Sequence, residues 1–470
     1  MEIRQRLQTL KTHFFEFAFL LLVFLFFLAL GSETPDFIHW RMGYGFFLTG
    51  LFFIFFRNEL ESKGSFGSLT LLAFLSFLGF QFIRFIWAVW QVLGRGLTDS
   101  ATLPLMRYLE APLEWLFFLA CFVLSFWFFF RRSSVGRLLW TLSLGGFFLA
   151  LNAVSPLLIH GKAGYSLAEG GRTFFYPLFY SHSLLQKYVF SPFGHPNYMG
   201  DFTALGFFAG LGLFFYLLQR LIEQRKKGAS IDSSASWALL GLVFIMTATN
   251  AAATVLFLGR GTLICFFFAS LVYFFFLFLK YRSRTVGILI LIVLLLSLGF
   301  IYWVIDWSVV FREIQTINKE FDPAQVTSFS TNREAAERAL TIYRVHPLWG
   351  VGTDGYAAVS ELFATAGTEA LVTAKIRAMS HYLTLLAEEG GGAYLYFLFL
   401  LFYFWEIAKG LWGIQSRFQF LSGLSLAASA LMFFAHAGIF YTLQLFSVSS
   451  LLYVLMGASL GILRRDFKHT

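Results

Sequence analysis

The chain has 470 residues, of which 58% are hydrophobic and 13% are charged. An ordinary soluble domain carries about 25% charged residues, so this composition excludes a water-facing globule of this size. The net charge of +9 would suit nucleic-acid binding in a soluble protein. In a membrane protein the positions of lysine and arginine report topology instead.

Apolar stretches of about 20 residues recur along almost the whole chain, each long enough to cross the hydrocarbon layer as a helix. We therefore predict an all-α polytopic membrane protein with about twelve transmembrane helices. The predicted spans are 14–31, 43–56, 68–93, 112–130, 137–154, 197–218, 236–257, 261–279, 286–305, 381–405, 418–436 and 440–462. They divide the chain into residues 1–305 (helices 1–9, with an outer loop at 155–196), a long outer loop at 306–380, and residues 381–470 (helices 10–12).

Basic residues cluster in alternate connections, for example Arg131 and Arg132, and the run 225–227. By the positive-inside rule these connections and both termini are cytoplasmic. The first span has basic residues before it and a possible cleavage site after it at 29–31, as a signal peptide does. Its apolar stretch is longer than a typical signal core, so we expect an uncleaved anchor.

The loop 306–380 contains a polar run, 332–344, whose apolar spacing predicts an outer amphipathic helix. Pro347 ends this helix, and the glycine-rich segment 350–355 predicts a tight turn before a second helical stretch at 356–364. Cys121 and Cys265 both fall inside predicted spans. They imply neither a disulfide framework nor a thiolate metal site.

Two outer positions could carry chemistry. Arg260 lies between glycines where the seventh and eighth spans meet, which suits either an anion site or an arginine that reaches the lipid headgroups. His381 begins the tenth span, and Glu388 follows seven residues later on the same helical face. Such an imidazole could accept a proton from a sugar hydroxyl, or it could simply cap a helix.

Further arginines are open to two interpretations. Arg333 and Arg338 lie on the predicted outer helix and could clamp a pyrophosphate, or they could belong to a solvated helix face. Arg84 and Asp201 are charges inside predicted spans, which are functional hypotheses by default. Arg84 is also close enough to the outer end of its span to reach the headgroups.

Three local patterns together resemble the O-antigen ligase and polymerase superfamily of bacterial envelope glycosyltransferases. Residues 193–197 resemble its Asn-Pro-Asn motif, with His195 in place of the first asparagine, and Arg260 matches its arginine hairpin. The third pattern is the long loop, where Arg333, the segment 346–352 and the run that begins at His381 follow one another in the family's order. Tyr382 stands where the family usually has asparagine. The resemblance covers about 190–400.

This resemblance implies a GT-C-like fold and a metal-independent, inverting glycosyltransferase without a cofactor. It would move a glycan from an undecaprenyl pyrophosphate carrier to an acceptor sugar hydroxyl at the periplasmic face of the bacterial inner membrane. Ligation of O-antigen to lipid A core ranks first among the implied reactions. The expected partners are the lipid-linked donor, the glycan acceptor and membrane lipid, with no nucleic acid.

The resemblance also implies roles for individual residues. Arg260 and Arg333 would bind and neutralise the departing pyrophosphate, and His381 would deprotonate the acceptor hydroxyl. We expect substrate-binding roles for Arg338, Asn197 and Glu388, and no metal ligands.

Two other functions remain open at this point. The first is the polymerase of the same superfamily, which joins repeat units while both substrates stay lipid-linked. The second, from a different class, is a lipid-linked glycan transporter in which Arg84 and Asp201 would line a central path. A structural scaffold would leave the pattern of Arg260, Arg333 and His381 unexplained.

Overall fold

All regular secondary structure in the described part of this computed structural model is helical. The structure describes residues 2–27, 42–54, 69–95, 99–129, 132–160, 196–226, 233–256, 260–282, 328–353, 355–364, 378, 380–440, 443 and 446–464. The helices are α1 (Glu2–Phe27), α2 (Met42–Ile54), α3 (Leu69–Arg95), α4 (Asp99–Phe128), α5 (Arg132–His160), α6 (Pro196–Lys226), α7 (Ser233–Leu256), α8 (Arg260–Tyr281), α9 (Ser328–Val345), α10 (Gly355–Val359), a 3₁₀ turn (Ser360–Phe363), α11 (His381–Glu389), α12 (Gly392–Gly413), α13 (Arg417–Ile439) and α14 (Phe446–Arg464).

Within the described residues, 10 helices are long and apolar enough to cross a membrane. They are α1, α3 to α8 and α12 to α14, and the shorter α2 is also apolar. The prediction of an all-α polytopic membrane protein is confirmed. The predicted span 286–305, the signal-like segment 29–31 and most of the outer loop 155–196 lie outside the described residues.

The predicted span 381–405 is wrong in its bounds. The helix that begins at His381 ends at Glu389, and a separate membrane-crossing helix begins at Gly392. Between them Gly390 has φ of 55°, a left-handed conformation that glycine adopts without a Cβ penalty. His381 therefore lies on a short helix of its own, preceding the membrane span.

The innermost helix of the bundle is α14, whose membrane-crossing segment is entirely buried by its neighbours. Gly457 and Gly461 let it approach α4 closely, because a Cβ at either position would collide with the backbone of Phe122 or Phe126. Small residues play this role in membrane proteins, where close van der Waals packing must replace the hydrophobic driving force.

Opposite ends of the bundle differ in their chemistry. At one end, which we call the basic end, Arg417 pairs with Glu223 at 3.1 Å and Arg464 pairs with Glu406 at 3.0 Å. Lys280 donates a hydrogen bond to the backbone carbonyl of Ile414 at the same end. The other end, which we call the site end, holds the starts of α6, α8, α11 and α12 and the end of α13.

Candidate functional site

The first turns of α6 and α8 meet at the site end. The hydroxyl of Thr262 donates a hydrogen bond to the backbone carbonyl of Asn197 at 3.3 Å. Gly200 permits this contact, since a Cβ there would lie 2.6 Å from Thr262 Cγ2. Arg260 is the first residue of α8, so its backbone lies beside the start of α6. Helix N-termini carry partial positive charge and favour anions, which makes this meeting point suitable for a phosphate group.

A buried histidine that sequence analysis did not single out completes this contact. His436 Nδ1 lies 2.8 and 2.9 Å from the two carboxylate oxygens of Asp201, and both residues are fully buried. Its Nε2 lies 3.4 Å from Thr262 Oγ1, and its ring stacks on Phe440. Asp201 was recognisable as an intramembrane charge, and a histidine within an apolar span was the signal for its partner.

His381 begins α11 and is almost fully buried, with 7% of its surface exposed. Within the described part of the chain, neither ring nitrogen has a hydrogen-bond partner. Its ring lies 6.0 Å, centroid to centroid, from the rings of Tyr382 and Tyr396. Burial lowers the pKa of His381 to about 4, because desolvation disfavours the imidazolium. The imidazole is therefore neutral at physiological pH and can accept a proton.

Tyr382 connects His381 to the α6 and α8 contact. Its phenol donates a hydrogen bond to the backbone carbonyl of Phe434 at 2.7 Å, and it packs against Gly438. Phe434 and Gly438 flank His436 in the last turns of α13. The end of α13 thus contacts the start of α8 on one side and the start of α11 on another, which brings the regions of Arg260 and His381 together.

The described residues of the segment 346–355, which we call the 346–355 turn, wrap around the C-terminal end of α11. Backbone hydrogen bonds run from Val351 N to Ala387 O (3.0 Å), from Gly352 N to Glu388 O (3.1 Å) and from Gly391 N to Leu348 O (2.9 Å). Gly350 has φ of 65°, and a Cβ there would collide with the backbone of Glu388. The predicted tight turn is confirmed, and its role is to hold the helix that carries His381.

The seven-residue spacing predicts that Glu388 pairs with His381, but the two side chains do not pair. Its carboxylate accepts a hydrogen bond from the backbone N–H of Tyr356 at 3.1 Å, whereas the ring nitrogens of His381 have no partner among the described residues. The carboxylate joins α11 to the start of α10. A substrate-binding role for Glu388 stays a prediction.

A buried charge network fixes α11 to α3. Arg84 and Glu389 form an ion pair with 1% and 2% of their side chains exposed. The same carboxylate accepts hydrogen bonds from Gln81 at 2.7 Å and from the hydroxyl of Thr353 at 3.0 Å. Arg84 is therefore buried inside the protein, where it neutralises a carboxylate at the end of the helix that carries His381.

The two arginines of α9 lie on different faces. Arg333 is exposed and pairs with Glu337 at 2.8 Å, whereas Arg338 is buried and pairs with Glu334 at 2.8 Å. Five residues of α-helix separate them by about 140° around the axis, so they do not form one clamp. Arg333 remains available to an external anion. A substrate-binding role for Arg338 stays a prediction, and its position favours a structural role.

Metal-binding residues do not cluster in the part of the chain that the structure describes, where no three His, Cys, Asp or Glu side chains could hold one ion. Cys121 and Cys265 are both buried and free. The predicted positions of both cysteines inside helices are confirmed.

A comparison with protein-family models matches residues 242–398 to the family described as O-antigen ligase. This match supports the O-antigen ligase and polymerase superfamily for the chain. The matched segment contains Arg260, Arg333 and His381, and it ends before His436. That family implies a glycosyltransferase-type enzyme that acts on a lipid-linked glycan in a membrane. A comparison with curated proteins finds no match to the chain.

Proposed function

We propose that this O-antigen ligase family member transfers a glycan from undecaprenyl pyrophosphate to an acceptor sugar hydroxyl on lipid A core, at the periplasmic face of the inner membrane. The observation that carries the proposal is the meeting of three elements at the site end: the start of α8 with Arg260, the end of α13, and the start of α11 with His381. The backbone segments that carry a cationic residue and a basic residue therefore lie at the same end of the bundle, joined through α13.

The leaving group needs positive charge. As the bond between the anomeric carbon and the pyrophosphate oxygen breaks, negative charge grows on the pyrophosphate. Arg260 and Arg333 would neutralise this charge, with the helix N-termini of α6 and α8 adding partial positive charge. Preorganised donors of this kind are each worth about 10² to 10³ in rate. In this proposal the arginines do the work that a metal ion does in other transferases.

The acceptor needs a base. His381 is neutral because burial lowers its pKa, so it would take the proton of the acceptor hydroxyl while that oxygen attacks the anomeric carbon from the side opposite the pyrophosphate. The products are the glycan joined to the acceptor with inverted configuration, undecaprenyl pyrophosphate, and a proton on His381. Approach of the anionic donor stabilises the imidazolium as it forms.

The test compares envelope polysaccharide on gels from cells that lack the chain and carry the wild type, Arg260→Ala or His381→Ala at matched expression. We expect both variants to accumulate lipid-linked polymer that does not reach lipid A core. Arg417→Ala is the matched control, because it removes an exposed arginine from the basic end and should restore the normal pattern.

Other gel patterns would support a different function. Core capped by a single repeat unit would identify a polymerase rather than a ligase. A normal ladder from both variants would exclude these roles for Arg260 and His381. It would favour transport, although Arg84 and Asp201 each make an internal pair instead of lining one path.

A further inference from the structure

The pair of Asp201 and His436 has no role in the proposed transfer, although both side chains are fully buried among membrane-crossing helices. A buried pair of this kind costs desolvation free energy that its own attraction hardly repays. Intramembrane ionisable residues are also rare and usually serve a function. The position of the pair shows what that function could be.

The imidazole of His436 contacts the first turn of α8 directly. A Cβ on Gly261 would lie 3.0 Å from His436 Nε2, so the ring packs against the backbone immediately after Arg260. The next residue, Thr262, places its hydroxyl 3.4 Å from the same nitrogen. A displaced ring would therefore displace the turn on which Arg260 lies.

Asp201 sets the orientation of this ring. Both carboxylate oxygens face Nδ1 at 2.8 and 2.9 Å, which holds the Nδ1–H toward α6 and Nε2 toward α8. A carboxylate orients a metal-bound or catalytic histidine in the same way. Stacking on Phe440 holds the plane of the ring.

We infer that Asp201 and His436 are positioning residues, which place Arg260 for the pyrophosphate by holding the first turn of α8 against α6. This inference rests on the proposed function. It adds that Arg260 binds the pyrophosphate tightly only when Asp201 and His436 hold its turn in place. Both of these residues lie outside the segment that matches the family. Neither Asp201 nor His436 needs to touch the substrate.

The experiment measures binding of undecaprenyl pyrophosphate, without any sugar, to the purified full chain in nanodiscs. His436→Phe keeps an aromatic ring but removes both polar contacts, and we expect it to weaken binding about 10- to 100-fold. Thr262→Val should weaken binding in the same direction, and Thr262→Ser should restore it. Tyr403→Phe is the matched control, since it removes a buried hydrogen bond to Ser459 between α12 and α14.

A double-mutant cycle distinguishes positioning from general damage. If the pair acts through Arg260, His436→Phe has little further effect on binding once Arg260→Ala is present. Independent effects that multiply would overturn the inference. Should His436→Phe fail to give a folded chain by size-exclusion chromatography, the same cycle with Thr262→Val decides the question. Failure of the wild type to bind, or full binding by Arg260→Ala, would instead overturn the proposed function.

Discussion

At the scale of single residues, the burial of His381 determines when it can act as a base. Because its pKa is lowered to about 4, the neutral imidazole persists well below the ordinary value of about 6.5. We expect kcat/KM for glycan transfer to fall only as the pH drops through about 4. His381→Gln should lower the rate by about 10² to 10⁴ at neutral pH.

The same pKa shift has a consequence for folding. The unfolded imidazole binds a proton from about pH 6.5 downward, whereas the folded one resists protonation until about pH 4. Stability is therefore lost as the pH falls from about 6.5 toward 4. His346→Ala, at an exposed histidine of the 346–355 turn, should leave the pH profile unchanged. If kcat/KM of the wild type instead fell near pH 6.5, the assignment of His381 as the base would be contradicted.

A second prediction concerns Arg333, which pairs with the neighbouring carboxylate of Glu337 on the same exposed face. Exposed pairs of this kind contribute little to folding, so Arg333→Ala should leave thermal stability unchanged. It should weaken binding of undecaprenyl pyrophosphate about tenfold, and Arg333→Lys should not fully restore binding, because lysine lacks the bidentate geometry.

Arg344 provides the control for Arg333. It is an exposed arginine in the last turn of the same helix, so Arg344→Ala changes the net charge equally. Equal weakening by both substitutions would mean that the helix attracts the anion only by its general charge. In that case Arg333 would have no specific role.

At the scale of elements, the break between α11 and α12 was beyond the reach of hydropathy. Apolar residues lie on both sides of Glu388, Glu389 and the glycines 390–392, so a sliding window averages over this interruption and sees a single span. The break depends on Gly390 and on backbone contacts with the 346–355 turn, which is distant in sequence. By contrast, α9 and the turn after it were predictable, because their signals are local: apolar periodicity, Pro347 and the glycines.

Gly350 is the residue through which this element can be tested. Gly350→Ala places a methyl group against the backbone of Glu388 and forces an L-residue into a φ of 65°. The backbone strain alone costs on the order of 1 to 3 kcal/mol. We expect a lower thermal unfolding temperature and reduced transfer, because the turn no longer holds the helix that carries His381.

Gly79, which has open surroundings, provides the control for Gly350→Ala. A Cβ on Gly79 in α3 would meet nothing within 4 Å. Gly79→Ala should be neutral or slightly stabilising, since alanine is favoured over glycine within helices by about 1 kcal/mol. If Gly350→Ala behaved in the same way, the wrapping of α11 by the turn would not matter for the site.

At the scale of the whole molecule, composition predicted the class of fold, whereas the motifs made Arg260 and His381 candidate site residues, a role that stays a prediction. What connects them was not predictable from one sequence. His436 belongs to no local pattern, and its partner Asp201 is 235 residues away. Likewise, nothing near Arg84 indicated Glu389, because helix packing alone brings them together. Local signals identify elements, whereas the site depends on contacts between distant ones.

The last prediction concerns how the bundle lies in the membrane. Lys280, Arg417 and Arg464 gather at the basic end, so the positive-inside rule predicts that this end is cytoplasmic and the site end periplasmic. Both native cysteines are buried, which gives a low background for thiol labelling. We expect Ala357→Cys, at an exposed position of α10, to react with a membrane-impermeant maleimide in intact cells whose outer membrane has been permeabilised.

Arg417→Cys, on an exposed side chain of the basic end, should react only after the inner membrane is lysed. The pair of variants controls for expression and for reagent access, because both label fully in lysed cells. The reverse pattern would put the site in the cytoplasm, where acceptor and donor would have to be cytoplasmic as well. Labelling of both in intact cells would mean that Arg417 does not mark the inner side, and the orientation would then have to come from another residue.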